Sequence, residues 1–156
     1  MKISLLAVGT KLPVWVETGV SEYIKRLPRD FNLVLKEVPL AKRGKSYNIE
    51  QCVNKEAKSI LEQVNKDDHL VAMEVSGKNF DTLALARHIG QLRDQGRNIS
   101  LMIGGPDGLA RCCLESADEK WSLSYLTMPH ALVRIIMVEQ LYRVWSVLNR
   151  HPYHRE

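Results

Sequence analysis

The chain has few cysteines and no long apolar segment, and both shortages limit what the protein can be. No stretch approaches the roughly 18 consecutive apolar residues of a membrane-spanning helix. The amino terminus, MKISLLAVGT, has too short an apolar run and no small-residue cleavage site for a signal peptide. The three cysteines, Cys52, Cys112 and Cys113, form no Cys-x-x-Cys spacing. We therefore expect a soluble, cytoplasmic protein with reduced thiols and no metal site.

Net charge is also small for a nucleic-acid-binding protein, only +4 at pH 7. The positions of the basic residues therefore matter more than their sum. One basic group is the glycine-containing loop Lys42-Arg43-Gly44-Lys45, and the other is the tail at 149–155, which contains an aromatic ring. Both groups are typical of RNA-binding surfaces, although solvated surface charge explains either cluster taken alone equally well.

What the sequence does contain is a regular alternation of two patterns. Five short apolar runs bounded by Gly, Pro or Asp predict strands, and segments with helical spacing lie between them. The alternation predicts an α/β fold, a mainly parallel sheet with helices on both faces, in a single domain over residues 1–156. The predicted strands are 3–8, 33–38, 70–75, 99–103 and 121–126, and the predicted helices are 16–27, 49–64, 82–95 and 132–148.

The last predicted helix differs from the others because apolar residues lie on nearly every side of it, from Ile135 to Leu148. Such a helix needs cover on two faces. A small sheet covers one face, so a second subunit is the simplest cover for the other, and we predict a homodimer. The alternative is a helix buried entirely within one chain.

Two loops that follow predicted strands have the character of ligand-binding loops. The segment Ile99-Ser-Leu-Met-Ile-Gly-Gly-Pro-Asp-Gly108 runs from an apolar strand into a glycine turn, where open α/β sheets usually bind ligands. It matches neither a Walker loop nor Gly-x-Gly-x-x-Gly, which disfavours a phosphate site. The loop Ser124 to Pro129 offers backbone polar groups beside apolar side chains, as a purine ring requires. Ordinary tight turns remain the alternative for each loop.

Six motifs occur together, in order, over essentially the whole chain. They are Gly-Thr-Lys at 9–11, Lys-Arg-Gly-Lys at 42–45, Ile-Gly-Gly-Pro-Asp-Gly at 103–108, Ser-Leu-Ser-Tyr-Leu-Thr-Met-Pro-His at 122–130, Glu-Gln-Leu-Tyr-Arg at 139–143 and His-Pro-Tyr-His-Arg-Glu at 151–156. The set resembles the bacterial large-subunit (23S) ribosomal RNA pseudouridine N3-methyltransferases, small single-domain members of the SPOUT superfamily. Each motif is weak alone, but the ordered set is highly specific.

The resemblance implies a SPOUT fold whose carboxyl-terminal third threads a trefoil knot, and a cofactor, S-adenosyl-L-methionine, held in that knot. Met73, where family members commonly carry leucine, and Asp107, where glutamate is frequent, are mild departures. The implied substrate is 23S ribosomal RNA, methylated at N3 of a pseudouridine, with the assembled ribosome favoured and free RNA as the alternative. Carried over by position, the cofactor-binding residues are Met73, Gly105, Ser124, Tyr125, Leu126, Thr127, Met128 and Pro129.

The N3 atom of a pseudouridine must lose a proton during methylation, so a base or a cation near its carbonyls would assist. In the tail, His154 can accept a proton, Arg155 can stabilise developing negative charge, and Tyr153 can stack on a base. Arg143 on the last helix is the fourth candidate catalytic residue. Lys42, Arg43 and Lys45 are the predicted RNA-binding residues. No metal is required for this chemistry.

Two other functions fit parts of the sequence. A cysteine hydrolase using Cys112 or Cys113 lacks a nucleophile-elbow sequence and any helper motif. A non-catalytic RNA-binding module would explain the basic loop and tail but leaves the two ligand-type loops without a purpose. Methyl transfer to RNA accounts for all of these features.

Overall fold

The computed structural model describes residues 1–44 and 48–155. Within them the chain alternates strands and helices, as the sequence predicts. The strands are β1 (Lys2–Val8), β2 (Asn32–Val38), β3 (His69–Asn79), β4 (Ile99–Ile103) and β5 (Glu119–Ser122). The helices are α1 (Val14–Ile24), α2 (Ile49–Leu61), α3 (Thr82–Asp94), α4 (Arg111–Ser116) and α5 (His130–Leu148).

The five strands form one sheet in the order β2-β1-β4-β3-β5, and every neighbouring pair is parallel. The prediction of a mainly parallel sheet is therefore confirmed. Because all strands run in the same direction, the loops after β3, β4 and β5 leave from the same edge of the sheet. The trefoil knot implied by the family resemblance stays a prediction.

Side chains of the strands alternate between two apolar layers. Ile3, Leu5 and Ala7 of β1 face the layer that contains α1, α3 and α5, whereas Leu6 and Val8 face the layer beneath α2 and α4. Helices cover both faces, which confirms that prediction. A strand buried on both faces reads as a continuous apolar run rather than an alternating one, as β1 and β4 do.

The apolar character of α5 is largely satisfied within the chain. Helix α5 contacts both α1 and α3 and lies over the sheet, so its buried residues occupy several sides of the helix. Burial of α5 within its own chain is not complete, since Leu132 is 38% exposed and Ile135 and Trp145 are only partly buried. The homodimer stays a prediction that needs other support.

One buried cation fixes the start of α5 against the sheet. The side chain of Arg134 is completely buried. Its Nη2 atom donates to the carbonyl oxygens of Val8 (2.6 Å) and Gly9 (2.8 Å), and Nη1 pairs with Glu37 at 2.8 Å. Arg134 thus joins α5 to the carboxyl ends of β1 and β2.

Several predicted boundaries are confirmed, and others are wrong for identifiable reasons. Asp81 begins α3 as expected, since its Oδ1 accepts the amide of Ala84. The fifth strand ends at Ser122 rather than 126, because a Ser122–Ser124 hydrogen-bonded turn follows it. Helix α4 was not predicted, since six residues are too few to show helical periodicity. None of the helices that the structure describes is long and apolar enough to cross a membrane.

Candidate active site

A cavity of about 580 Å³ opens where β3, β4 and β5 end and α5 begins. Its wall combines apolar side chains with backbone groups from the two loops that the sequence indicates as ligand-binding. The residues that line it come from the strand ends, the two loops and the start of α5, and they include Met73, Ile103, Gly104, Gly105, Leu109, Trp121, Leu123, Leu126, Thr127, Met128, Pro129 and Val133. Small-molecule sites usually enclose about 300–1,000 Å³ behind mostly apolar walls. The cavity therefore has the size and chemistry of a cofactor site.

Glycines shape one wall of the cavity. Gly108 donates its amide to the carbonyl of Gly105 (3.0 Å) and closes a tight turn, in which a Cβ on Gly104 would overlap the backbone of Gly108. A Cβ on Gly105 would lie 3.0 Å from Val8 and 3.2 Å from Leu40. A larger residue at 105 would therefore push against the side chains of Val8 and Leu40 beneath the loop.

Serine hydroxyls shape the opposite wall. Ser122 Oγ donates to the carbonyl of Ser124 (2.8 Å) and accepts the Ser124 amide, and Ser124 Oγ accepts the amide of Leu126 (3.0 Å). These bonds turn the chain sharply after β5 and direct residues 126–129 along the cavity. Side-chain bonds of this kind compete with strand continuation, which explains the early end of β5.

The structure brings together seven of the eight residues predicted to bind the cofactor. Met73, Gly105 and residues 124 and 126–129 line the cavity. Tyr125 does not line it, because its side chain points outward and is 85% exposed. Contact of these residues with a ligand stays a prediction.

Two polar residues of the cavity wall were missed in the sequence. Glu74 lines the cavity because the ladder between β3 and β5 is interrupted between Met73 and Lys78, which brings residue 74 to the rim. His130 is the first residue of α5. Burial, together with the charge of Arg134, lowers the pKa of His130 from its ordinary value, so its imidazole is neutral at pH 7. His130 directly follows the Ser124–Pro129 loop in the sequence, and this position could have indicated that it lines the site.

Arg43 of the basic loop is held by two ion pairs. The guanidinium of Arg43 pairs with Glu56 of α2 (2.9 Å) and with Asp107 of the glycine turn (2.6 Å). These partners raise the pKa of Arg43, with the hydrogen bond to Glu56 as the largest cause. Arg43 therefore bridges the loop before α2 to the cavity wall, whereas the sequence predicts an RNA contact. Lys42 is exposed, and Lys45 lies outside the described residues.

The predicted catalytic residues gather at the far end of α5. Arg143 binds Glu139 Oε1 through both Nε (3.0 Å) and Nη2 (2.6 Å), and the Tyr153 hydroxyl donates to the same oxygen (3.0 Å). The Arg143 guanidinium lies 4.9 Å from the centre of the Tyr153 ring, which also contacts Tyr142. Burial, followed by hydrogen bonds with Tyr23 and Glu139, raises the pKa of Tyr153. Its hydroxyl is therefore a donor and not a base.

None of the four predicted catalytic residues lines the cavity of its own chain. Tyr142, beneath the tail, lies nine positions after Val133 at the cavity, which is a rise of about 14 Å along the axis of α5. Arg155 is exposed, and both ring nitrogens of His154 are buried without a hydrogen-bond partner among the described residues. The tail and the cavity are thus two separate places within one subunit.

The cysteines do not form a hydrolase site. Burial, with a contribution from neighbouring Cys112, raises the pKa of the Cys113 thiol to about 12, so it carries almost no thiolate near neutral pH. Cys112 is exposed and lines a shallow surface depression with Asn54, Lys58 and Leu61. No histidine lies in the wall of that depression, so the hydrolase alternative finds no support in the described residues.

A family model described as "Predicted SPOUT methyltransferase" matches residues 1–154. The chain belongs to the SPOUT methyltransferase family. The α/β sheet, the cavity at its carboxyl edge and the ordered motifs all agree with this membership. As a methyltransferase, the protein requires a methyl donor, and the cavity is where the described residues offer room for one.

Curated relatives match the methyltransferase over its whole length. Three proteins named "Ribosomal RNA large subunit methyltransferase H" are 48% identical in Saccharophagus degradans, 50% in Marinomonas sp. and 47% in Hahella chejuensis. Each alignment covers at least 99% of this chain and 100% of the relative. Among solved structures, one described as "a probable methylase family protein" from Haemophilus influenzae Rd KW20 superposes with a TM-score of 0.57 at 14% identity. The superposition covers 99% of this chain and 70% of the Haemophilus influenzae chain, and it shows that the two share a fold.

The Arg43 bridge gives a test that separates an anchor from a free RNA contact. In Arg43→Gln, the carboxylate of Glu56, 3% exposed, loses the guanidinium and keeps the Ala41 amide as its donor among the described residues. We expect the free energy of unfolding to fall by about 2–3 kcal/mol, measured by urea denaturation. Lys42→Gln, the neighbouring exposed cation, should change it by less than about 0.5 kcal/mol. If the two substitutions lower the free energy of unfolding by equally small amounts, the Arg43 bridge does not stabilise the protein.

Proposed function

We propose that this methyltransferase transfers a methyl group from S-adenosyl-L-methionine to N3 of a pseudouridine in large-subunit (23S) ribosomal RNA, on the assembled ribosome. The observation that carries the proposal is the cavity at the carboxyl edge of the sheet, formed by the glycine turn and the loop at 123–129. The RNA substrate is supported by near-50% identity, over the full length, to relatives named for large-subunit ribosomal RNA.

The residues present fit S-adenosyl-L-methionine. Its adenine ring suits the apolar slot between Leu109, Leu123 and Met128, where backbone amides and carbonyls of the loop can hydrogen-bond the ring edge. Glu74 on the rim supplies a carboxylate for the ribose hydroxyls or for the cationic end of the molecule. When bound, the cofactor supplies an electrophilic methyl group on a sulfonium, which an in-line displacement transfers to the nucleophile.

The protein's own task is to orient the base and manage one proton. As the N3–CH3 bond forms and the S–CH3 bond breaks, the N3–H proton must pass to a base, and the neutral imidazole of His130 in the cavity wall can take it up. Arg155 and His154 of the tail can stabilise negative charge on the carbonyls of the base, and Tyr153 can stack on it. Groups that are oriented against the bound base before the reaction lower its entropic cost.

A second subunit would bring tail and cavity together. Within one subunit the tail lies about 14 Å along α5 from the cavity. A tail that acts at the cavity therefore comes most simply from the other subunit of a twofold dimer. An exposed apolar surface supports this arrangement: Val14 and Trp15 begin α1, and Leu126 and Leu132 flank the start of α5. Gly19 of α1 packs closely against Ile135 of α5, so these two helices lie side by side.

RNA phosphates would bind outside the cavity. Lys42 is exposed, and the neighbouring Arg43 is tied to the glycine turn through Asp107. We infer that the RNA contacts predicted for Lys42 and Arg43 lie on this side, and the predicted contact of Lys45 falls outside the described residues. Since the charge of Arg43 is already balanced by two carboxylates, we assign the main electrostatic contribution to the two lysines. The tail residues at 149–155 would add a second basic contact.

The cofactor site can be tested by filling the cavity. Val133→Trp on α5 places an indole at the cavity wall, and we expect S-adenosyl-L-methionine to bind at least about tenfold more weakly by isothermal titration, because the cavity loses volume. Leu83→Trp is the matched control, since Leu83 is an exposed residue of α3 outside the cavity wall. Unchanged affinity in a folded Val133→Trp protein would place the cofactor elsewhere.

The tail is best tested by truncation after Tyr153, because Tyr153 packs on Tyr142 and its loss would disturb α5. Removing residues 154–156 should leave the melting temperature and cofactor affinity nearly unchanged but reduce methyl incorporation into ribosomes by at least about 100-fold, because stabilising groups at the reacting base are lost. Arg150→Gln, which removes one exposed tail charge without shortening the chain, should keep most activity. Full activity of the truncated protein would exclude the tail from the mechanism.

Mixing experiments test whether the site is shared between subunits. Neither the truncated protein nor Val133→Trp should be active alone. After subunit exchange, a mixed dimer contains the intact cavity of the truncated chain facing the intact tail of the Val133→Trp chain. Activity should therefore reappear in the mixture. Absence of recovery, in mixtures shown to exchange subunits, would mean that each subunit uses its own tail.

A further inference from the structure

Two histidines and a glutamate, none of which lines the cavity, converge at the amino ends of β3 and β5. His69 opens β3, His88 lies on α3 and Glu119 opens β5. The Nε2 atoms of both histidines lie 2.8 Å from Oε1 of Glu119, and the ligand atoms of the three side chains fall within 4.8 Å of one another. We propose that this cluster binds a divalent transition-metal ion of the zinc class, in a role separate from methyl transfer.

The donor set matches the preference of such ions. Imidazole nitrogens and a carboxylate oxygen are common zinc ligands, and three protein ligands with water in the fourth position form a familiar tetrahedral arrangement. Zinc bonds of about 2.0–2.1 Å separate tetrahedral ligands by about 3.3 Å. The carboxylate oxygen of Glu119 would therefore withdraw about half an ångström from each nitrogen, a shift that side-chain rotation supplies.

Neighbouring groups already orient the three ligands. Trp121 Nε1 donates to the second oxygen of Glu119 (2.7 Å), which leaves Oε1 directed at the histidines. His69 turns its other nitrogen, Nδ1, toward Asp118 Oδ2 at 3.7 Å, and the ring of Phe80 stacks on His88 at 5.5 Å. Ligating histidines usually have a carboxylate or carbonyl beside their second nitrogen, and such partners raise metal affinity.

The cluster is held firmly but remains reachable from solvent. The side chains of His69, His88 and Glu119 are 13%, 24% and 26% exposed, so an ion can enter and a water molecule can complete its coordination. The ligands are 19 and 31 residues apart along the chain. No local spacing could reveal them, which explains why the sequence predicts no metal site.

The position of the cluster indicates what the ion would do. It joins the first residues of β3 and β5 to α3, at the end of the sheet opposite the cavity. Strand β5 is a short edge strand held only by β3. Trp121 of β5 binds Glu119 and also lines the cavity. An ion would therefore stabilise the strand from which the loop at 123–129 departs.

The test is titration of the full chain, first treated with a chelator and dialysed, with ZnCl2 alone. Isothermal titration should show one ion per chain, and zinc at 100 times its Kd should raise the melting temperature by about 5–10 °C. His88→Gln keeps an N–H donor for Glu119 but removes a ligand, and should weaken zinc binding at least about tenfold. Cobalt(II) at the same site should give a visible absorption band.

The control removes the two histidines of the tail. A His151→Gln/His154→Gln protein loses both tail imidazoles and should bind zinc as the parent does. Glu119→Gln gives a second ligand variant in case His88→Gln folds poorly. The proposal is overturned if the parent shows no saturable 1:1 binding, or if folded His88→Gln and Glu119→Gln proteins bind zinc as tightly as the parent; the cluster is then a hydrogen-bonded network only.

Discussion

The position of α5 depends on a cation that has no contact with water. Arg134 donates to two carbonyl oxygens at the end of β1 and pairs with Glu37 of β2. A buried guanidinium without these acceptors would be costly, so the acceptors and the helix hold one another in a single arrangement. Val133 and His130, on the same turn of α5, are thereby fixed at the cavity wall. The charge of Arg134 also helps to keep His130 neutral.

The second constraint is the parallel direction of all five strands. It places the glycine turn after β4 and the serine-shaped loop after β5 at one edge, where they close a cavity with the start of α5. The Arg43 bridge then ties the glycine turn to α2 on the other face of the sheet. Binding functions therefore gather at the carboxyl edge, and the histidine cluster occupies the amino ends of β3 and β5.

How much the sequence predicts depends on whether the signal is local. The strand 99–103, the Asp81 cap and the two cavity loops were predictable because neighbouring residues carry their patterns. The pairing of Arg43 with Asp107, 64 residues away, and the cover of α5 by α1 and α3 were not, since only the fold brings these residues together. For the same reason the sequence could not show that the charge of Arg43 is paired with two carboxylates, and its RNA contact stays a prediction. Family resemblance supplied the cofactor and substrate, which no periodicity contains.

The central claim is that the cavity serves methyl transfer to one ribosomal base. The most direct measurement treats ribosomes from a strain that lacks this enzyme with purified protein and S-adenosyl-L-methionine carrying an isotopically labelled methyl group. Nucleosides from the 23S RNA are then analysed by mass spectrometry. The account predicts label in N3-methylpseudouridine alone, and none with the Val133→Trp protein. Label on a different nucleoside, or no label from active wild-type protein that binds the cofactor, would contradict it.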